Sequence, residues 1–455
     1  MRVCSVLIAL SFGVPGPVLA AEQILVLPPF SMAPSNINSF NTPVAYWNGN
    51  IYTANVEPGS GMGVPGVNLK TVVRKCALGS ATTCTWERKV VDAATLDDIY
   101  HTQPSIAVDR AGFVHVAYNM HHMPWQYSVS RRAGDISAFD FLGESLSAAQ
   151  KSIVKLVNKT PFPSIGNAAI PGNQITYPAF YHDRNLDLYV TYRFAIRPKL
   201  AFADRAYAGG IAAYDIDTKK WHSIGGEITV TSNQADLPKD LATTEVKAFA
   251  FADGWQALPI RLTFDENNGM HAVWAWRKHE GNSAYTKASY AYSPDKGKTF
   301  RKADGSFYEL PIAINATDAP FTAFGFPKTS LTADADLSVA TDLGGQPYFV
   351  AVPKGRGSQL TFFRKTKGRW ENPENMPLNA RRLEIDDDGR QWVFSTGLKV
   401  MRRDSGQDIW TKIYEDRDAN KYGWPKIYSL PNERLFIVHT LNSQVNKVKI
   451  YIIRY

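Results

Sequence analysis

The sequence predicts an all-β, seven-bladed β-propeller formed by one domain with long loop insertions on one face. Three observations predict it. Helical periodicity is nearly absent, and alternating β-branched and aromatic residues ending in turn chemistry run through most of the chain. A strand, Asx/Gly turn, strand unit recurs seven times. The turns fall at intervals of roughly 44 to 82 residues, against the roughly 40–50 residues of a propeller blade.

The seven units are "VAYWNGNIYTANV", "SIAVDRAGFVHVAY", "AFYHDRNLDLYVTYR", "LTFDENNGMHAVWAWR", "SVATDLGGQPYFVAV", "LEIDDDGRQWVFST" and "YSLPNERLFIVHT". Short intervals are bare blades, and long ones carry insertions, chiefly at 134–170 and 196–255. "SPDKGKTF" (Ser293, Asp295, Gly297, Thr299, Phe300) has the Asp-box pattern S-x-D-x-G-x-T-W/F. In that turn the aspartate binds backbone donors and the aromatic ring packs between sheets, so it marks a fold and not a catalytic centre. The last strand, "KVKIYIIRY", has no turn partner after it and is expected to close the ring on "QILVLPPF". The one helix-like stretch is "SLSAAQKSIVKLVN" (145–158).

Residues 1–20, "MRVCSVLIALSFGVPGPVLA", read as an export signal, leaving 21–455 as the propeller. Gly13, Pro15, Gly16 and Pro17 make the apolar run too short to anchor in a bilayer, and no later run could span one. The expected location is periplasmic or extracellular. There, Cys76 and Cys84 in "RKCALGSATTCTW" are expected to form a disulfide, because the compartment is oxidising and no histidine lies near them to complete a metal site. The formal net charge is +8, spread without a basic tail, which argues against nucleic acid and is compatible with a polyanionic substrate. A monomer without membrane insertion is expected.

Four of the nine histidines lie within "YHTQPSIAVDRAGFVHVAYNMHHMPW". His101 precedes the first strand of that hairpin and His121 follows the second, so the hairpin should bring both to one rim. His115, in mid-strand, reads as a satisfied core histidine, and His122 should point away from His121. The next unit repeats the placement with Tyr177 and Arg193, and the fourth unit ends in Arg277. Asp97, Asp98, Asp387 and Asp388 read as solvated turn acids. Glycoside hydrolysis usually needs two positioned acids. A His/Tyr/Arg site suits a different reaction: removal of the proton α to a carboxylate, with cations neutralising the charge that develops.

The strings "H-T-x-P-S-I-x-V-D-x-x-G-x-V-H-V-x-Y-x-M-H", "Y-P-x-F…Y-R" and "H-x-x-W-x-W-R", followed by the Asp-box, resemble the BNR-repeat propeller polysaccharide lyases, which include ulvan lyases and rhamnose–glucuronate lyases. The resemblance runs from about residue 98 to 300. It implies that His101 and Tyr177 are the proton-transferring pair and that His121 and Arg193 hold the uronate carboxylate. It also implies that Arg277 binds substrate, and His122, Trp125 and Trp276 are expected beside it. The chain departs from the family at "NSAYTKASY", where an Asn-His pair is common. That chemistry requires no cofactor. The resemblance leaves room for a structural calcium ion, to which no residues here point. The expected partner is an anionic, uronic-acid-containing polysaccharide. The competing readings are a sialidase-like hydrolase, for which "PIRL" near 259–262 is a faint echo of an arginine motif, and a non-catalytic glycan-binding propeller.

Overall fold

The computed structural model describes residues 22–33, 40–57, 69–78, 84–92, 103–123, 125–143, 170, 173–197, 206–231, 243–278, 285–318, 337–351, 361–366, 368–371, 374–377, 380–416, 425–430, 433–442 and 446–455. The signal segment, His101 and the helix-like stretch 145–158 lie outside them. Every regular element of more than one residue among the described residues is a strand, and no helix is long and apolar enough to cross a membrane.

All seven hairpins form as antiparallel pairs. Blade 1 runs through Val44–Trp47, Asn50–Glu57, Lys70–Ala77 and Glu87–Asp92. Blade 2 is built from Ser105–Val108, Val114–Ala117, Tyr127–Ser130 and Phe139–Phe141. Blade 3 comprises Asn173–His182, Leu188–Arg197, Ala206–Asp215 and Lys220–Ile224, with His121–Met123 added at its inner edge. Blade 4 holds Arg261–Phe264, Met270–Lys278 and Tyr285–Ser293, with Trp255–Ala257 alongside. Blade 5 begins with Ser338–Thr341 and Pro347–Ala351, and blade 6 with Ala380–Ile385 and Gln391–Ser395.

The expectation of a seven-bladed propeller is corrected to six blades. Six blades have the hairpin frame of one segment each. The remaining hairpin, Lys426–Leu430 with Leu435–Asn442, lies in a composite sheet that takes Lys447–Arg454 from one chain end and Gln23–Val26 from the other. That pairing of the two ends is the expected closure. Counting hairpins gave seven units, but a hairpin is only half a sheet, and this one is completed by a strand from the opposite terminus. Much of the apparent insertion at 196–255 is likewise the outer half of blade 3, followed by a two-stranded ribbon of Gly226–Thr231 and Thr243–Ala248.

The core lies between sheets. Apolar residues from facing sheets form separate clusters, from blades 1 and 2 around to the composite sheet and blade 1. Trp125, Trp274, Trp276 and Trp392 are fully buried there. Each such large side chain contributes roughly 1.5–3 kcal/mol or more through area removed from water. In the Asp-box, Asp295 accepts from Thr299 N and Oγ1, Gly297 N donates to Ser293 Oγ, and Phe300 is buried between blades 3 and 4. Cys76 and Cys84 are bridged, with Cα atoms 5.8 Å apart.

One turn device recurs. Asp109, Asp183, Asp265, Asp342 and Asp386 each turn Oδ1 onto backbone amides of their own hairpin. The residue six positions on meets Oδ2 in four of the five: His115, His271, Tyr348 and Trp392. His115 and His271 pass the contact to Tyr127 and Tyr290 through Nδ1. His115 is therefore a buried structural residue, as its mid-strand position suggested.

Candidate active site

The two strands of a hairpin meet at its turn, so the start of the first strand and the end of the second share the opposite rim. Tyr177 and Arg193 lie at that rim of blade 3, with Tyr177 roughly 20 Å from the turn at Asp183 on strand rise alone. The strand Asn173–His182 loses regular register between Asn173 and Thr176 and again between Thr176 and Ala179. Tyr177 sits in the second irregularity with φ of 59°. A left-handed conformation costs a non-glycine residue on the order of 1–3 kcal/mol and persists only when its surroundings enforce it. Here they do. The Tyr177 ring stacks on Phe40 with centroids 4.2 Å apart, and the Arg193 guanidinium lies 5.0 Å from its centre.

Arg193 is 7% exposed. Its guanidinium also lies 4.5 Å from the ring of Tyr207, and Nη1 donates to Oε1 of Gln256 at 2.7 Å. Phe40, Tyr177, Arg193 and Tyr207 thus form one chain of contacts. With Leu258 and Ile260 the first three line a recess of about 10 Å³, room for a single water and not for a sugar ring.

The strand His121–Met123 leaves blade 2 and pairs with blade 3, placing His121 opposite Thr176. Thr176 is in turn opposite Arg193. The backbones of His121, Thr176 and Arg193 therefore make one row across three strands, with Tyr177 next to it. His121 was expected at the rim of its own hairpin; its strand instead crosses to the next blade, which brings it closer to Tyr177. His122 follows in that strand, where successive side chains alternate faces. Arg277, half-buried, is directly opposite Gln256 on the neighbouring strand and has the Tyr285 ring 5.5 Å away. Directly opposed residues share a face of a sheet, so Arg277 is on the side from which Gln256 reaches Arg193.

Two expected residues need correction. Trp125 is buried between blades 2 and 3, stacked on Tyr127 at 5.1 Å, and Trp276 is buried between blades 3 and 4. Neither presents a surface to a sugar ring; both are packing residues. Sequence reading missed Phe40, Tyr207 and Gln256. None lies in a hairpin unit, and their only signal is position: Tyr207 and Gln256 are next to the end of a strand that abuts the site, and Phe40 lies in the segment that leads into blade 1.

A roomier cavity lies elsewhere. It is the central channel, about 300 Å³, lined by the first strands of the sheets. Arg261, Arg382, Lys426 and Glu384 border it. Arg261, from the "PIRL" segment, donates to the carbonyl of Phe40. Desolvation pushes the Glu384 carboxyl up to about 8, with Arg382 pulling the other way. Among the described residues, no group of three or more His, Cys, Asp or Glu side chains is placed to hold a metal ion.

The polysaccharide lyase Uly1 has a similar fold, with a TM-score of 0.62 at 11% identity over 92% of this chain and 90% of that one. An ulvan lyase described as a new polysaccharide lyase family, PL25, matches with a TM-score of 0.55 at 12% identity over 92% of this chain and 93% of its own. That enzyme has also been solved bound to -[GlcA(1-4)Rha3S]-. At such identities the likeness is one of fold. No curated protein matches the sequence. The family described as "BNR repeat-containing family member" matches residues 66–376, from blade 1 into blade 5 and across every residue of the site just described except Phe40. The chain belongs to this BNR repeat-containing family.

Proposed function

We propose that the chain is an exported polysaccharide lyase that cleaves a uronic-acid-containing polymer, of glucuronate or iduronate, by β-elimination. The observation that carries this reading is the strained Tyr177 held against the guanidinium of Arg193, with the strand of His121 in the adjacent row. The C5 proton of a uronate is weakly acidic. Its removal is slow unless the carboxylate's growing charge is neutralised, which is the part Arg193 would play, with His121 donating to the same carboxylate. Tyr177 and His101 would divide the two proton transfers: a base takes the C5 proton, the electron pair forms the C4–C5 double bond, and an acid protonates the leaving C4 oxygen. We favour Tyr177 near the leaving oxygen. Arg277, on the same face as Gln256, would bind a neighbouring part of the anionic chain.

The fold likeness to lyases supports the architecture, and rhamnose-linked, ulvan-like polymers are the first substrates to try. The test is a panel of uronic-acid polysaccharides with product mass spectrometry. The expected product carries an unsaturated uronyl end, visible as new ultraviolet absorbance. Reducing ends without that absorbance would mean hydrolysis and would sink the elimination reading. His101→Ala should abolish turnover in the same assay.

A further inference from the structure

We propose that Gln256 is a positioning residue: it fixes the plane of the Arg193 guanidinium without itself neutralising the charge. This rests on the elimination reading above. Gln256 is 4% exposed and comes from the short strand Trp255–Ala257 of blade 4, outside every hairpin unit. Its Oε1 accepts from Arg193 Nη1 across the boundary between blades 3 and 4. The rings of Tyr177 and Tyr207 hold the same guanidinium within 5.0 Å and 4.5 Å of their centres. Among the contacts described, two ring faces and the Gln256 oxygen restrain Arg193.

The chemistry of that edge contact is informative. A carboxylate there would hold the guanidinium at least as firmly through a charge-assisted bond. It would also neutralise it, removing the attraction for an incoming uronate and for the charge that grows as the C5 proton leaves. An amide oxygen supplies the geometry and takes none of the charge. Preorganised cations of fixed orientation are worth most where charge develops in a water-poor site, and a misplacement of about 1 Å can cost up to about a hundredfold in rate.

Positioning and plain structural support predict opposite rankings, so the experiment compares Gln256→Glu with Gln256→Leu. Thermal stability, kcat and KM are measured on the full chain with the polymer the wild type cleaves. The proposal predicts that Gln256→Glu stays as stable as wild type yet loses about a hundredfold in kcat, because the carboxylate holds the guanidinium but neutralises it. Gln256→Leu, which removes that contact without adding a charge, should lose less, about tenfold, with KM little changed. Gln256→Glu retaining wild-type kcat would overturn the proposal. The same variants are titrated calorimetrically with an oligosaccharide containing glucuronate. If the wild type binds it but produces no unsaturated product, the elimination reading fails alone, and Gln256→Glu losing that binding still supports the positioning role. Equal binding by both proteins overturns that role, and a wild type that neither cleaves nor binds overturns both.

Discussion

The recurring turn aspartates permit a graded stability prediction, because the same substitution removes different things in different blades. Asp386 is 2% exposed. Its Oδ1 accepts from the amides of Asp388 and Arg390 at 3.0 and 2.9 Å, and its Oδ2 from Arg390 Nε and Trp392 Nε1, both at 2.7 Å. Asp386→Ala would strand the indole N–H of a fully buried tryptophan, at a cost of about 1–3 kcal/mol, and break a charge-assisted bond, about 1.5–3 kcal/mol. The two amides sit near the exposed turn, where water replaces much of what they lose. The expected loss is therefore about 3–5 kcal/mol. Asp342 makes the same pair of amide contacts, but Oδ2 meets only the Tyr348 hydroxyl, at 3.3 Å, and the residue is half-exposed. Asp342→Ala should cost about 1–2 kcal/mol. Urea midpoints and slopes read by tryptophan fluorescence decide it. If the two variants fell within about 0.5 kcal/mol of each other, or in the reverse order, the argument that the Oδ2 partner sets the cost would be wrong.

Tyr177→Phe should lower turnover by about 10²- to 10⁴-fold with an unchanged melting temperature, and retention of more than about a tenth of wild-type activity would remove Tyr177 from proton transfer. Arg277→Ala should mainly raise KM, since it touches neither Tyr177 nor Arg193 in the contacts described; a fall in kcat with KM unchanged would place it in the transition state instead. Glu384 carries its carboxyl pKa up from 4.5 to about 8 in the folded protein. The folded chain then holds a proton that the unfolded chain releases, so this contribution is present in full below about pH 4.5 and is lost as the pH rises towards 8. Glu384→Gln should accordingly melt a few degrees above wild type at pH 9 and with it at pH 4. A gap that does not change with pH would refute the assignment.

Much of the fold was legible because strands and Asx turns are local signals. "LEIDDDGRQWVFST" contains both its alternation and its turn, and it folds as Ala380–Ile385 and Gln391–Ser395. The closure was legible for a related reason: a first strand without a local partner and a last strand with one side unpaired must pair with each other or stay open edges. What escaped was set by contacts between blades. Nothing in "NMHHMPW" announces that His121–Met123 leaves its own sheet, because either neighbouring sheet can accept an extra strand. Trp276 and Arg277 are consecutive in one strand and so face opposite ways. With Arg277 on the face of Gln256, Trp276 had to go into the packing between blades; expecting both at the substrate ignored the period of the strand.

The position of the site beside the channel, and not inside it, follows from one short segment. Residues 40–43 precede blade 1, and their contacts reach most of the way around the ring. Asn41 donates to Pro104 O and is met by Lys426 Nζ of the composite sheet. Thr42 N donates to Ser105 Oγ of blade 2, and Thr42 Oγ1 accepts from Phe180 N of blade 3. Arg261 of blade 4 donates to Phe40 O. A segment touching that many sheets at once must lie near the axis, where the inner strands converge. It therefore separates the roomy cavity below from the rim above, and it turns the ring of Phe40 up against Tyr177. Arg261, Arg382 and Lys426 border the channel, as do Asn41, Thr42 and Pro43 of this segment, whereas Arg193 does not. On the reading proposed above, the volume of the propeller's cavity is a poor guide to its chemistry. The rim of blades 3 and 4 holds less space, but it is where a strained tyrosine, a ring-flanked arginine and a borrowed histidine strand have been brought into one row.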